Sequence, residues 1–240
     1  MALRLLFTII FIIFFHGMCS SIAPSSARQK QPKGQSKILW EHYKSVYSSA
    51  IDIEDTTTAI LALNSALEIV PEDSITCYTL LNLYFNSGKY NSCLYLAKRA
   101  IKGNPQNILA TYFIAKSAES THRYSEALTY YEKLYYLTND IYYTYPVANL
   151  QYTLFRYYEA NIYIQNLLKH KEIDTRNVMV NVEGEQPQEV NLRAVLLNLR
   201  GLVLIELKDK VQALQSFEQA LTIYPNFILA KKNIDFFKSK

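Results

Sequence analysis

The chain has 240 residues, 50 % of them apolar and 19 % charged, a composition that supplies a sizeable core and excludes intrinsic disorder. Its formal charge of +4 is concentrated at the N-terminus, where Arg4, Arg28, Lys30, Lys33 and Lys37 stand without a single acid. Beyond Lys37, 20 basic residues face 21 acidic ones, a net −1 that excludes a basic footprint for nucleic acid.

Residues 1–27 read as a signal peptide. Arg4 is followed by the apolar run Leu5–Phe15, too short for the ~20 residues that span a bilayer. Ser25 and Ala27 place small residues at −3 and −1 for cleavage before Arg28; an earlier cut near Cys19, a lipidated Cys19 and an uncleaved anchor are the alternatives. Residues 28–37, polar with Pro32 and Gly34, read as a flexible linker, with order starting near Ile38 or Trp40.

From residue 38 one short phrase recurs. It reads Ala66-Leu67-Glu68-Ile69-Val70-Pro71, then Ala100-Ile101-Lys102-Gly103-Asn104-Pro105, then Ala220-Leu221-Thr222-Ile223-Tyr224-Pro225. Seven residues before each alanine stands a small residue, Ala59, Cys93 and Ala213; Ala127 and Asn139 follow Cys93 and Pro105 at the same period. That period is the length of a two-helix unit, and such units must stack because one hairpin cannot bury its apolar face alone.

Five units follow: residues 40–73, 74–107, 108–140, 141–173 and 194–227. Trp40, Tyr43, Val46 and Tyr47 open the first; Cys77, Leu80, Leu81, Tyr84, Gly88, Tyr90, Cys93, Ala97 and Ala100 make the second. The third carries Ile114, Ala115, Ala118, Tyr124, Ala127, Tyr131 and Leu134; the fourth Val147, Ala148, Tyr157, Ala160, Ile164 and Leu167. The fifth shows Leu197, Gly201, Leu204, Ala213, Phe217, Ala220 and Pro225. In this pattern the chain resembles the tetratricopeptide repeat over residues 40–240, of the kind found in small exported proteins of bacterial envelopes. The resemblance implies a right-handed all-α solenoid and a binding role rather than a catalytic one.

Small residues at the eighth and twentieth positions let paired helices approach, as Ala115 with Ala127 and Gly201 with Ala213. Pro146 belongs in the first turn of a late-starting helix, with Thr144 or Tyr145 as cap. Residues 174–193 are an insertion. There Val178, Val180 and Val182 alternate with Met179 and Asn181, Gly184 turns, and Gln188-Glu189-Val190 returns. This predicts a short β-hairpin, or else a loop, lying outside the helical core. Residues 228–238, with Phe227, Ile234, Phe236 and Phe237 opposite Lys231, Lys232 and Lys238, predict a capping helix.

Nothing argues for catalysis: His42, His122 and His170 fall on different repeats, and no nucleophile or phosphate-loop motif occurs. No cofactor and no metal are implied. Cys77 and Cys93 read as two small buried residues or as a disulfide across one hairpin. What remains is a surface. The resemblance implies that the first helix of each unit lines a concave groove. That groove would hold Lys44, Tyr78, Tyr112 and Tyr145 at the fifth position, Asn82, Lys116 and Asn149 at the ninth, and Phe85, Glu119 and Tyr152 at the twelfth. The tyrosines supply area and the amides bond main chain, a row suited to an extended peptide. Expected partners are therefore protein, not nucleic acid, with a membrane involved only through an uncleaved or lipidated N-terminus.

Overall fold

The computed structural model describes residues 32–238. The signal peptide with its alternatives, and linker residues 28–31, lie outside them. Among the described residues eleven helices and one two-stranded sheet form an all-α solenoid of helical hairpins, divided along the chain into two compact units, the first ending at Thr76 and the second beginning at Cys77.

The first unit contains α1 (Gln35–Asp52) and α2 (Thr56–Ile69). Helix α1 starts at Gln35, inside the segment read as linker, because Gly34 at φ 58° turns the chain and Lys37 reaches Glu41 one turn on. Asp55 caps α2 by accepting from the Thr58 amide at 3.0 Å and its hydroxyl at 2.5 Å. Its buried stripe, Ala59, Leu63 and Ala66, is the one the repeat pattern predicts.

Helix α3 (Ser74–Asn86) carries the chain into the second unit. Helices α4 (Tyr90–Gly103), α5 (Ile108–Ser120) and α6 (Tyr124–Thr138) follow. A 3₁₀ turn (Ile141–Tyr143) then leads to α7 (Thr144–Thr153) and α8 (Tyr157–Leu167). After a second 3₁₀ turn (Lys171–Asp174) come β1 (Asn177–Val180) and β2 (Gln188–Asn191), then α9 (Leu192–Glu206), α10 (Lys210–Ile223) and α11 (Ile228–Lys238).

Every turn inside a hairpin is built alike. One residue adopts a left-handed conformation: Glu54, Gly88, His122, Phe155 or Lys208, at φ between 58° and 70°. The next amide reaches back to a carbonyl five residues earlier, as Lys89 to Tyr84 at 2.8 Å and Asp209 to Leu204 at 2.9 Å. This closure satisfies the carbonyls that a helix end would orphan. Only Gly88 meets it without a Cβ penalty.

Pro146 is the third residue of α7, where no intrahelical donor is missed. The helix starts slightly earlier than predicted: Tyr143, not Thr144 or Tyr145, precedes it, and the Thr144 hydroxyl donates to the Ile141 carbonyl at 2.6 Å. At the fifth repeat the contact differs from expectation. A Cβ on Gly201 would lie 2.4 Å from the Phe217 ring, so the space that glycine opens is filled by Phe217 rather than reserved for Ala213.

The insertion forms the predicted hairpin, antiparallel with Val178 opposite Val190 and Met179 opposite Glu189. Its expected place outside the core is overturned. Val178, Val180 and Val190 are buried in the same cluster as Ala148, Ile164, Leu192, Val195, Phe227 and Ala230. The hairpin is tied down by polar contacts too. The Gln188 side chain donates to the Asn226 carbonyl at 2.6 Å and accepts the Ile228 amide at 3.1 Å, and Arg193 clasps Asp174 while donating to the Leu168 carbonyl at 2.7 Å.

Candidate functional site

The ten residues of the predicted groove separate by what the fold already asks of them. Lys44 lies in the first unit, its ammonium 4.3 Å from the centre of the Trp40 ring. In the second unit Tyr78 accepts a hydrogen bond at 2.7 Å from Asn107, whose other side-chain atom caps α5 through the Ala110 amide at 2.9 Å. Phe85 stands edge-on to Tyr90 and Phe113, ring centres 5.3 and 6.0 Å away. Tyr112 packs on the cluster of Ala115, Tyr131, Tyr143 and Leu150, and Tyr152 lies beside Tyr157 at 5.7 Å. These aromatic side chains are half-buried and join neighbouring helices; they are not a free ladder. The row also ends early, because Asn198 of the fifth repeat is buried and accepts from Asn233 of α11 at 2.8 Å.

The ninth position behaves differently. Among the described residues the Asn82 side chain bonds its own helix, donating to the Tyr78 carbonyl at 3.0 Å, and Lys116 meets Glu119 one turn on at 3.4 Å. Lys116 and Asn149 open into a pocket of about 320 Å³. Its lining comes from α5 and α7, through Lys116, Glu119, Tyr145, Pro146 and Asn149, and from β1, through Val178, Met179 and Val180, with Asn181 just beyond the strand. Tyr131, Tyr142 and Leu229 of α11 complete the lining.

Glu119 sets the field in this pocket. Its Oε2 accepts from the Tyr131 hydroxyl at 2.6 Å and from Lys116, and its negative charge bears on four tyrosines. Burial pushes the Tyr145 phenol up to about 12, and Glu119 adds to it. Tyr112 and Tyr131 are pushed up as well, burial first and Glu119 among the further causes. Burial and then the Asp140 charge raise Tyr142 as well. All four are hydroxyl donors and acceptors at neutral pH, never phenolates.

Tyr131, Tyr142, Met179, Asn181 and Leu229 were not foreseen as site residues. The repeat register marks Tyr131 as a core position alone, and it carries no signal for Met179 and Asn181, since the hairpin that completes the pocket belongs to no repeat. Among the described residues no three His, Cys, Asp or Glu side chains are grouped to hold a metal. Cys77 and Cys93 are buried thiols; Cys93 faces the Leu81 carbonyl at 3.5 Å and burial pushes its thiol up to about 11.

A profile described as "Anaphase-promoting complex, cyclosome, subunit 3" matches residues 52–134, and one described as "Tetratricopeptide repeat" matches residues 194–227. The chain is a tetratricopeptide-repeat protein. Curated proteins offer no match in sequence. Among solved structures it resembles MamA, with 14 % identity over 77 % of this chain and 91 % of that one at TM-score 0.60. MamA from Desulfovibrio magneticus RS-1 agrees at 12 % identity, 82 % and 99 % coverage and TM-score 0.60. YrrB, a TPR protein described as having an unusual peptide-binding site, gives 14 %, 83 % and 97 % with TM-score 0.62. At such identities these likenesses speak for the tetratricopeptide fold alone.

Proposed function

We propose that this tetratricopeptide-repeat protein is an exported, non-enzymatic scaffold that holds a segment of a partner protein against the first helices of its repeats. The repeats supply an interaction surface, which is what such folds generally offer. One observation carries the finer reading: the ninth-position side chains Asn82, Lys116 and Asn149 bond nothing outside their own helices among the described residues, while the fifth and twelfth positions are largely consumed by packing. Amide and ammonium groups left in a row at half-exposed positions suit the main chain of an extended peptide. Export rests on Arg4 and the apolar run Leu5–Phe15.

Photo-cross-linkers placed at positions 82 and 149 of the chain expressed in its native cells test this reading. A partner captured at both, and lost from a control cross-linker at exposed Tyr95, supports it; equal capture at all three sinks it. The mass of the chain recovered from those cells reads the export step. Loss of about 27 residues supports secretion, whereas an intact or acylated N-terminus replaces it with a membrane-anchored component of an envelope complex.

A further inference from the structure

Among the described residues strand β1 pairs with β2 alone, and its residues Val178, Met179 and Val180 line the pocket. The Leu192 amide donates to the Arg176 carbonyl at 2.8 Å, which fixes the phase of the ladder. Val178 and Val180 then exchange hydrogen bonds with β2, while the N–H and C=O groups of Asn177 and Met179 turn away from it. Among the described residues nothing accepts or donates there. An unpaired edge of this kind is a template for another strand. It also runs beside a wall of side chains able to read what that strand carries.

The hairpin that carries this edge is acidic. Residues 177–191 contain Glu183, Glu185 and Glu189 and no Lys or Arg. Lys232 approaches this loop, but at the Glu183 carbonyl, 3.5 Å away, not its carboxylate. Inside the pocket both donors to Glu119, Tyr131 and Lys116, use Oε2, which leaves Oε1 without a partner among the described residues. A carboxylate accepts more than two donors. The Tyr142 and Tyr145 rings flank the same space, and aromatic faces attract a cation.

Building on the scaffold reading, we propose that the outer edge of β1 and the pocket beside it dock an extended basic segment of a partner protein. The segment adds as a third strand on Asn177 and Met179 and places an Arg or Lys side chain against Glu119 between Tyr142 and Tyr145. Main-chain pairing supplies affinity, and the carboxylate in its tyrosine setting supplies the choice of residue.

The test uses fluorescein-labelled octapeptides of alternating Thr and Val with Arg, Gln or Glu at one central position, titrated onto the full chain. The Arg peptide is expected to bind about ten-fold more tightly than the Gln peptide, and the Glu peptide more weakly than either. Glu119→Gln should erase the Arg preference while circular dichroism stays unchanged. Main-chain N-methylation of the Arg peptide, or Met179→Pro in the protein, should weaken all binding by about ten-fold, because each removes an edge hydrogen bond. Equal affinity for the three peptides, binding indifferent to both edge changes, or no binding by any peptide overturns the proposal. If binding appears only after residues 28–33 are deleted, the chain's own basic segment fills the edge and the partner assignment falls. Capture at positions 82 and 149 that persists while the peptides fail would leave the scaffold reading standing without this one; loss of both removes both.

Discussion

The third repeat and the stretch from α8 to α9 face the same task with different materials. In the third repeat, Ala115 and Ala118 of α5 pack in one cluster with Ala127, Leu128 and Tyr131 of α6, and the hairpin supplies its own close contacts. Between α8 and α9 the period breaks, and the core there takes in Val178, Val180 and Val190 from the sheet. Where the period holds, residues local in sequence define the packing. Where it breaks, a segment with β periodicity has become part of a helical core, and the same segment walls the pocket. Regularity locates the core, and the interruption locates the candidate site.

Deleting residues 177–189 breaks this comparison most directly. The deletion removes Val178, Val180 and Val182, all about 5 % exposed. At ~1.5–3 kcal/mol for each fully buried valine, about 4–9 kcal/mol should be lost, enough to uncouple the fifth repeat from the fourth. Denaturant unfolding followed by circular dichroism should then show an early loss of part of the helical signal. A single transition at the original midpoint would mean that the hairpin is a surface ornament after all.

Gly201→Ala probes the regular kind of contact inside the interrupted region. Its Cβ meets ring atoms of Phe217 at 2.4 to 2.7 Å, so something must shift, at a cost of ~1–3 kcal/mol. Phe217→Leu should cost stability alone yet recover part of the loss in the double variant, since the two sites share one space. Additive melting shifts would show that the backbone, not the ring, yields.

Most of the helical frame was legible because its cause is local. Ala59, Cys93, Ala127, Ala160 and Ala213 are all fully buried where the repeat spacing put them. The pocket was not legible, because its β wall reaches α5 and α7 by tertiary packing and no spacing encodes which surface a hairpin covers. The tyrosines misled for a related reason. Tyr78 and Tyr112 recur at the repeat period, but the period only says that they occupy equivalent places, and an aromatic ring there is long enough to be claimed by the next helix.

Phe155 sharpens the comparison at a smaller scale. It holds the left-handed turn position at φ 61° with its ring 78 % exposed, where the second repeat has Gly88 at φ 70°. A non-glycine residue there costs roughly 1–2 kcal/mol, partly offset by the greater freedom of glycine in the unfolded chain. Phe155→Gly should therefore raise stability by about 0.5–1 kcal/mol, and Gly88→Ala should lower it by a similar amount. Unchanged melting in Phe155→Gly would mean that the ring contacts with Tyr157 offset the strain.

The smallest effect concerns the clasp at the start of the hairpin. The hydrogen bond from Arg193 holds the Asp174 carboxyl below the usual aspartate range, with the nearby charges of Arg193 and Lys171 helping. A depressed folded-state value means that this group contributes fully above the ordinary value of about 3.9, and that the contribution disappears as pH falls through the lower folded value. Asp174 is exposed, so solvent screening keeps the effect local and small. It should appear as a drop in amide protection for residues 174–191 below about pH 4, with the third repeat unaffected until lower pH. Asp174→Asn should show the reduced protection already at neutral pH and flatten its pH dependence. If both variants titrate alike, then the Arg193 bonds to the Leu168 and His170 carbonyls, at 2.7 and 3.1 Å, hold the clasp without the carboxylate, and the junction is set by main chain in the interrupted region as it is in the regular one.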